Sequence, residues 1–504
     1  MEAVHFVVLW VAMAVVLASL GGGAVDAAQE AAKELRRGFS AAQDQSYSQF
    51  QPVLTDPTGV FALGFLRVNS TMLDLAVLHL PSSFALWRAI PDRPAQWSAS
   101  ASLSFDGNLV LADLAANKVL WSTAAAGVGD RAVLLNTSNL QIQSGSSSSV
   151  AWQSFDYPSE TIVQGQNLTS QAALHTFDRR FAMRIGTNYF ALYIEPPPSS
   201  GGIAAAMYWK HTALEAKAQI VAGGGPTYVR VEPDGYLGMY QKEGPPADVL
   251  SFDTFNHGVR AFRRMTLEAD GNLRAYYWDA SRWVLDYTAI TDPCGLPTTC
   301  GAYAVCVQPS GRCACLANAT DGSGCAAASV GGGGSLCGST GGEVGGLYWE
   351  VRRQSVEPVN KELVPFEHSP SAEDCEARCA RNCSCWGAVY SNGTGYCYLM
   401  DYPAQMIVAA DDRKMGYFKV RSLEEAARGG GSGRAAGVKA ALLAVGVAVF
   451  VAGAALGAYM VWKRSRTAAD TRRQIGADDE GLSPGPYKNL GSFSAVELSS
   501  SFRR

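Results

Sequence analysis

The amino-acid sequence predicts a mainly β, multi-domain chain that carries two cysteine-rich modules after its β region and crosses a membrane once as an α-helix. Three observations carry this prediction. Short apolar stretches alternate with turn residues at roughly 8–12-residue intervals through the N-terminal half. All 12 cysteines lie between Cys294 and Cys397. Residues 440–462 form an apolar run without a single charge.

The chain has 504 residues, several times the length one hydrophobic core supports. Its net charge is −4 with Lys and Arg scattered rather than striped, which leaves no basic face for nucleic acid. Glycine is abundant at 52 residues, and tracts such as 331–334 and 429–431 read as linkers because they offer no side chains to pack.

Residues 1–27 read as a signal peptide. The apolar stretch 6–20 is too short to span ~30 Å of hydrocarbon, and Val25 and Ala27 suit a small-residue cleavage site, although the usual basic start is missing.

The β region begins after it. Phe61-Ala-Leu-Gly-Phe65, the stretch 75–80 and Leu140-Gln-Ile142 read as strands of a sandwich, barrel or prism rather than of alternating βαβ units. An internal repeat recurs as Phe105-Asp-Gly-Asn-Leu-Val110, Glu232-Pro-Asp-Gly-Tyr-Leu237 and Ala269-Asp-Gly-Asn-Leu-Arg274. Each Asp-Gly is expected to be a tight hairpin turn with positive φ, flanked by apolar strand residues.

The run Trp152-Gln-Ser-Phe-Asp-Tyr-Pro158, followed by Gly165-Gln166, resembles the signature of plant S-locus glycoproteins and S-domain (G-type lectin) receptor-like proteins. Gly59-Val-Phe-Ala-Leu-Gly-Phe65, Trp121-Ser122, Leu134-Leu135 and Asn139-Leu140 precede it in the family's order. The resemblance implies tandem bulb-type lectin β-prisms, placed at 40–155 and 156–290. It also implies a sugar motif, Gln-x-Asp-x-Asn-x-Val-x-Tyr.

In the best copy Asp106, Asn108 and Val110 remain as candidate carbohydrate-binding residues, while Ser104 replaces Gln and Ala112 replaces Tyr. A second copy keeps only Asn139. A third has Glu268, Asp270, Asn272 and Tyr276, with Arg274 at the Val position. Asp-Gly turns that close hairpins explain these residues without a sugar.

Six cysteines at 294, 300, 306, 313, 315 and 325 need staples, since so small a segment cannot rest on a core. Spacing alone allows 15 connectivities for six cysteines. No histidine lies among them, which disfavours zinc. The spacing resembles an EGF-like module at 291–325, and that resemblance implies Cys294–Cys306, Cys300–Cys313 and Cys315–Cys325.

The stretch 373–381 reads as a helix that places Cys375 and Cys379 on one face. The run Cys375-Glu-Ala-Arg-Cys379-Ala-Arg-Asn-Cys383-Ser-Cys385 resembles a PAN, or apple, domain over 337–420. The resemblance implies Cys375–Cys397 and Cys379–Cys385 and leaves Cys383 for Cys337.

Residues 421–439 read as a juxtamembrane linker. Residues 440–462 read as a transmembrane helix, long enough at ~1.5 Å per residue to cross the bilayer. Lys463, Arg464, Arg466, Arg472 and Arg473 crowd one end, against Arg434 and Lys439 at the other. That bias makes 463–504 a cytoplasmic tail and the chain a type I plasma-membrane protein. The sequons Asn69, Asn136, Asn167, Asn318, Asn382 and Asn392 all precede the span, as expected of a glycoprotein.

Gly453 and Gly457 form a Gly-x-x-x-Gly face suited to helix pairing. The tail offers Tyr487-Lys-Asn-Leu490 and a serine-rich end; a solvated tail is the plainer reading. It is too short for a kinase and holds no His-Arg-Asp or Asp-Phe-Gly.

The chain lacks His-Glu-x-x-His and Gly-x-Ser-x-Gly, and its six histidines are dispersed. No enzyme activity, cofactor or metal is expected. The expected function is a non-catalytic receptor-like glycoprotein that binds extracellular protein or glycan, as co-receptor or decoy for S-domain receptor kinases. The expected partners are a second copy or a kinase-bearing relative, met through the ectodomain and Gly453/Gly457. The alternative is a cell-surface lectin.

Overall fold

The computed structural model describes residues 31–125, 127–145, 148–196, 204–213, 228–241, 244–301, 303–316, 348–401, 406–408, 413–420 and Tyr459. The predicted signal peptide, linker, tail, Gly453 and Gly457, and all of 440–462 except Tyr459, lie outside them. No helix among the described residues is long and apolar enough to cross a membrane.

The first β module is three-sided. One sheet orders Phe50–Thr55, Phe61–Arg67, Met72–His79 and Phe84–Arg88, with the short Ala95–Gln96 paired to it. The second orders Leu35–Arg36, Arg131–Leu134, Leu140–Ser144 and Ser149–Gln153. The third orders Lys118–Ser122, Leu109–Asp113, Ala101–Phe105 and Phe39–Ala42. Alternate residues of all three turn inward onto one core that includes Leu63, Phe65, Leu75, Leu103, Leu140 and Ile142.

The second module repeats the plan. Its sheets contain Thr161–Val163 with Arg263–Leu267, Leu273–Trp278 and Trp283–Thr288; Asn167–Thr169 with Tyr228–Glu232, Tyr236–Tyr240 and Asp248–Ser251; and Leu174–His175 with Phe181–Ile185, Tyr189–Ile194 and Ala206–Thr212. They enclose a separate core that includes Phe181, Phe190, Val231, Met265 and Leu273. In this core Arg263 and Asp286 form a fully buried ion pair. The pair survives burial because every arm is satisfied: Arg263 also donates to Pro233 O (3.0 Å) and Val259 O (2.9 Å), and Asp286 accepts from the Thr254 amide (2.9 Å) and hydroxyl (2.8 Å).

The Asp-Gly turns differ from the sequence expectation in one respect. Gly107, Gly235 and Gly271 take φ of +83°, +86° and +84°, but the preceding aspartates do not join them in the left-handed region. Pairing of Glu232 with Tyr236 and Leu267 with Leu273 makes these longer hairpin loops with one left-handed glycine, not two-residue turns.

The first cysteine-rich module is continuous with the second. Its hairpin, Ala304–Val307 with Arg312–Cys315, pairs in parallel with Met406–Val408, which in turn pairs with Val356–Pro358. Tyr303, Val305 and Leu316 therefore share a core with Val351, Val389 and Phe418.

The remaining sheet orders Trp349–Gln354, Lys414–Val420, Gly387–Ser391, Tyr396–Met400 and Phe366–His368. The helix Ala372–Arg381 packs on it through Cys375 and Cys379. Ser371 caps the helix start by accepting from the Asp374 amide at 3.2 Å. The buried Lys419 ammonium closes the other end, donating to the carbonyls of Cys379 (2.8 Å), Ala380 (3.2 Å) and Asn382 (2.9 Å).

Candidate functional site

Disulfides join Cys294 to Cys306, Cys300 to Cys313, Cys375 to Cys397 and Cys379 to Cys385. Cys315 and Cys383 are disulfide-bonded as well. Cys325 and Cys337, the partners the resemblance implies for them, lie outside the described residues, as does Asn318. The other five sequon asparagines, Asn69, Asn136, Asn167, Asn382 and Asn392, are exposed. Among the described residues no cluster of three or more His, Cys, Asp or Glu is arranged to hold a metal.

At the sugar-motif positions of the second and third copies the polar groups are tied up within the protein. Asp106 is exposed, with Arg37 3.7 Å away, and the Asn108 carboxamide accepts from the Gly127 amide at 3.4 Å. In the second copy Asn139 is buried and donates to Gln153 (2.9 Å), which also receives Gln141 (3.2 Å). In the third, Asn272 both donates to and accepts from the backbone of Ile290, Arg274 grips Asp270 at 2.7 Å, and the Tyr276 hydroxyl donates to Glu268 at 2.8 Å. Glu232 and Tyr240 repeat that last bond at 2.6 Å. A glutamate in place of Gln and an arginine in place of Val have turned the site of the third copy into an internal ion-pair and hydroxyl network.

A different place is open. Each sheet of the first module sends one tryptophan to a common end: Trp87, Trp121 and Trp152. Each sits at a register shift, so that the preceding Leu86, Leu120 or Ala151 is the extra residue. Such bulges re-aim the following side chain. The three rings meet edge to face with centroids 5.6, 6.1 and 5.8 Å apart. Trp87 Nε1 donates to Tyr157 O at 2.8 Å, and the Tyr157 ring, 59% exposed as a residue, lies flat on Trp152 at 5.6 Å.

The signature stretch thus forms the wall between the modules, and Gln166 pins it by donating to Phe155 O (2.9 Å) and accepting from the Val163 amide (3.1 Å). Across from the tryptophans stand Ser159, His175, Thr176 and Arg179 of the second module. The cleft measures about 320 Å³. Ser159 and His175 line it, but Ser159 Oγ and His175 Nδ1 are themselves buried from solvent. Burial, with Arg179 and Arg184 nearby, pushes the His175 imidazole down to about 4, so it stays neutral. Arg179 pairs with Asp92 at the rim (3.5 Å), and Arg88 pairs with buried Asp74 (2.9 Å).

The modules are clamped beside this cleft. The Arg264 guanidinium lies 3.7 Å from the Phe84 ring centre, 4.0 Å from Tyr276 and 4.9 Å from Trp283. His79 packs among Phe61, Phe262, Trp278 and Trp283, and Trp283 Nε1 donates to Ser82 Oγ at 2.9 Å.

Comparison with known proteins gives three family matches. The D-mannose binding lectin family matches residues 85–182, the S-locus glycoprotein domain 246–319 and the PAN domain 354–420. A PAN domain-containing protein of Arabidopsis thaliana is 42% identical over 94% of this chain and 93% of its own length. The chain belongs to the plant S-locus glycoprotein and G-type lectin receptor-like family, as a PAN domain-containing member.

A G-type lectin S-receptor-like serine/threonine-protein kinase of the same plant is 25% identical over 71% of this chain and 46% of that protein, so the chain spans about half the length of such kinases. A solved two-domain lectin, the fetuin-binding Scilla campanulata agglutinin, covers 50% of this chain at 15% identity with a TM-score of 0.19. Every residue lining the cleft falls inside the stretch matched by the lectin family.

In the sequence, Trp121, Trp152 and Tyr157 stand out only as part of the family signature, and the six histidines are dispersed. The signal available was an apolar-Trp-polar triplet, Leu86-Trp-Arg88, Leu120-Trp-Ser122 and Ala151-Trp-Gln153, recurring once per sheet.

Proposed function

We propose that this chain is a non-catalytic, receptor-like plasma-membrane glycoprotein of single-pass type I topology. Its tandem lectin-like, EGF-like and PAN modules meet an extracellular protein or glycan, and a kinase-bearing relative supplies the signal. The domain limits follow the sequence reading: lectin-like modules at 40–155 and 156–290, EGF-like at 291–325, PAN at 337–420 and a span at 440–462. The observation that carries the proposal is the meeting of the first two β modules around an open cleft, while the polar side chains of the third sugar motif are engaged within the protein.

The test is surface cross-linking of the tagged full-length chain with a membrane-impermeant reagent in plant cells, then purification and mass spectrometry. Recovery of an S-domain receptor kinase, above the level of an unrelated single-pass control, is the expected outcome. Recovery equal to the control overturns the co-receptor reading.

A cell-surface lectin acting alone is the second reading, favoured by the D-mannose binding lectin match over 85–182. It predicts cell-surface binding that free sugar abolishes and that needs no kinase.

A further inference from the structure

A second cleft lies between the second β module and the PAN module, and the receptor reading gives it no role. We propose that it is a protein-docking site for an extended extracellular peptide, taking one apolar side chain of that peptide and pairing a neighbouring Lys or Arg with Asp401.

The cleft joins chain segments far apart in sequence. Ala205, Ala206 and Met207, at the start of the edge strand Ala206–Thr212, form one wall, and Leu363, Pro365 and Leu399 form part of the other. Asn360 ties the two sides together, its carboxamide donating to Tyr208 O at 2.5 Å. The cleft measures about 270 Å³, room for one large side chain and below the ~300–1,000 Å³ of pockets that enclose a whole small ligand. Alanine, methionine, leucine and proline side chains select an apolar occupant.

Charge at the cleft has one sign. Asp401 is the only charged residue among the described residues that line it. Its carboxylate accepts from Ser384 Oγ at 3.2 Å and forms no ion pair among the described residues. Glu362, exposed beside Leu363, forms none either. The neighbouring cations are already answered: Lys361 and Lys414 both pair with Glu357, and Arg184, over the Tyr193 ring, pairs with Glu195 at 2.6 Å. A cation on the partner therefore finds a complement here, and an anion does not.

The cleft also opens at the end of a free sheet edge, which selects a peptide over a small molecule. Pro365 leads into Phe366–His368, the outermost strand of its sheet, and all three strand residues are exposed. The Ser369 amide donates to Gly395 O at 2.9 Å, in line with the pairing of Glu367 with Cys397. Antiparallel pairs alternate, so Ser369 and Glu367 turn their backbone groups to the neighbouring strand while Phe366 and His368 turn theirs outward. Such an edge takes up an extended segment through main-chain hydrogen bonds, with a pocket alongside reading a side chain.

The inference rests on the reading of the ectodomain given above and names a class of ligand for it. Its failure would leave the cross-linking result untouched.

The experiment is panning of a random phage-displayed peptide library on the purified full-length chain, then fluorescence anisotropy of the most enriched peptide, made synthetically, with wild type, Ala205→Trp and Asp401→Asn. Ala205 precedes its strand and asparagine keeps the shape of aspartate, so both variants keep the fold. The enriched peptides are expected to share an apolar residue close to a Lys or Arg. Affinity should fall at least about tenfold in Ala205→Trp, which fills the cleft, and about threefold in Asp401→Asn, as for an exposed charge pair. Methylating the peptide's backbone nitrogens one at a time should weaken binding about fivefold at one or more positions, by removing a strand donor. Absence of enriched peptides overturns the proposal, and so does an affinity unchanged in Ala205→Trp, which would place the peptide elsewhere. Loss in Ala205→Trp without any effect of N-methylation overturns it too, since the cleft would then hold a side chain with no added strand.

Discussion

His79 shows how one residue can report on the junction of two modules. Its ring is buried among four aromatic side chains, its Nδ1 lies 2.8 Å from Ser82 Oγ, and burial pushes its imidazole down to about 4. An unfolded histidine titrates near 6.5. Between these values the unfolded chain binds the extra proton, so the stability His79 contributes is complete above about 6.5 and is lost as pH falls toward 4. Asp74, raised to about 6 by burial, works in the opposite sense over the same acidic range, so the wild-type profile alone does not isolate the histidine. The difference between wild type and His79→Phe does. Thermal unfolding should favour wild type least at pH 4.5 and most at pH 7.5; a difference independent of pH would contradict the burial argument.

At the level of elements, the helix Ala372–Arg381 was the most legible part of the sequence, because Cys375 and Cys379 four residues apart and the acidic first turn fix its face and direction. What closes it was not legible. Lys419 lies in a strand about forty residues later, and only the tertiary fold brings its ammonium under the last carbonyls. Lys419→Met should cost about 2 kcal/mol, in line with hydrogen bonds to a charged group, and speed amide exchange in 372–381 about thirtyfold. Unchanged exchange there would show that water serves those carbonyls equally well.

The Asp-Gly repeats were read correctly as hairpin turns, yet the loop length was not, since pairing of Leu267 with Leu273 depends on the register of whole strands. The tryptophan bulges escaped for a related reason: an extra residue such as Leu86 is invisible until the partner strand sets the count.

Across the whole molecule, the two β modules keep separate cores but share a boundary built from both. Arg264 is 5% exposed and inserted among Phe84 of the first module and Tyr276 and Trp283 of its own. Burial lowers its pKa to about 10, still far above neutrality, so it remains a cation at the centre of an aromatic cluster. The family resemblance implies two β modules but carries no sign of this clamp, because an arginine beside a strand reads as solvated until a neighbouring domain covers it.

The central claim is that the junction makes one recognition body of two modules. The direct measurement is hydrogen–deuterium exchange of the full-length chain, wild type against Arg264→Met. The account predicts that the variant loses protection on both sides together, in Phe84–Arg88 of the first module and in Leu174–His175 and Trp283–Thr288 of the second, with the two cores still protected. Loss confined to Arg263–Leu267, the strand that carries the substitution, would contradict it.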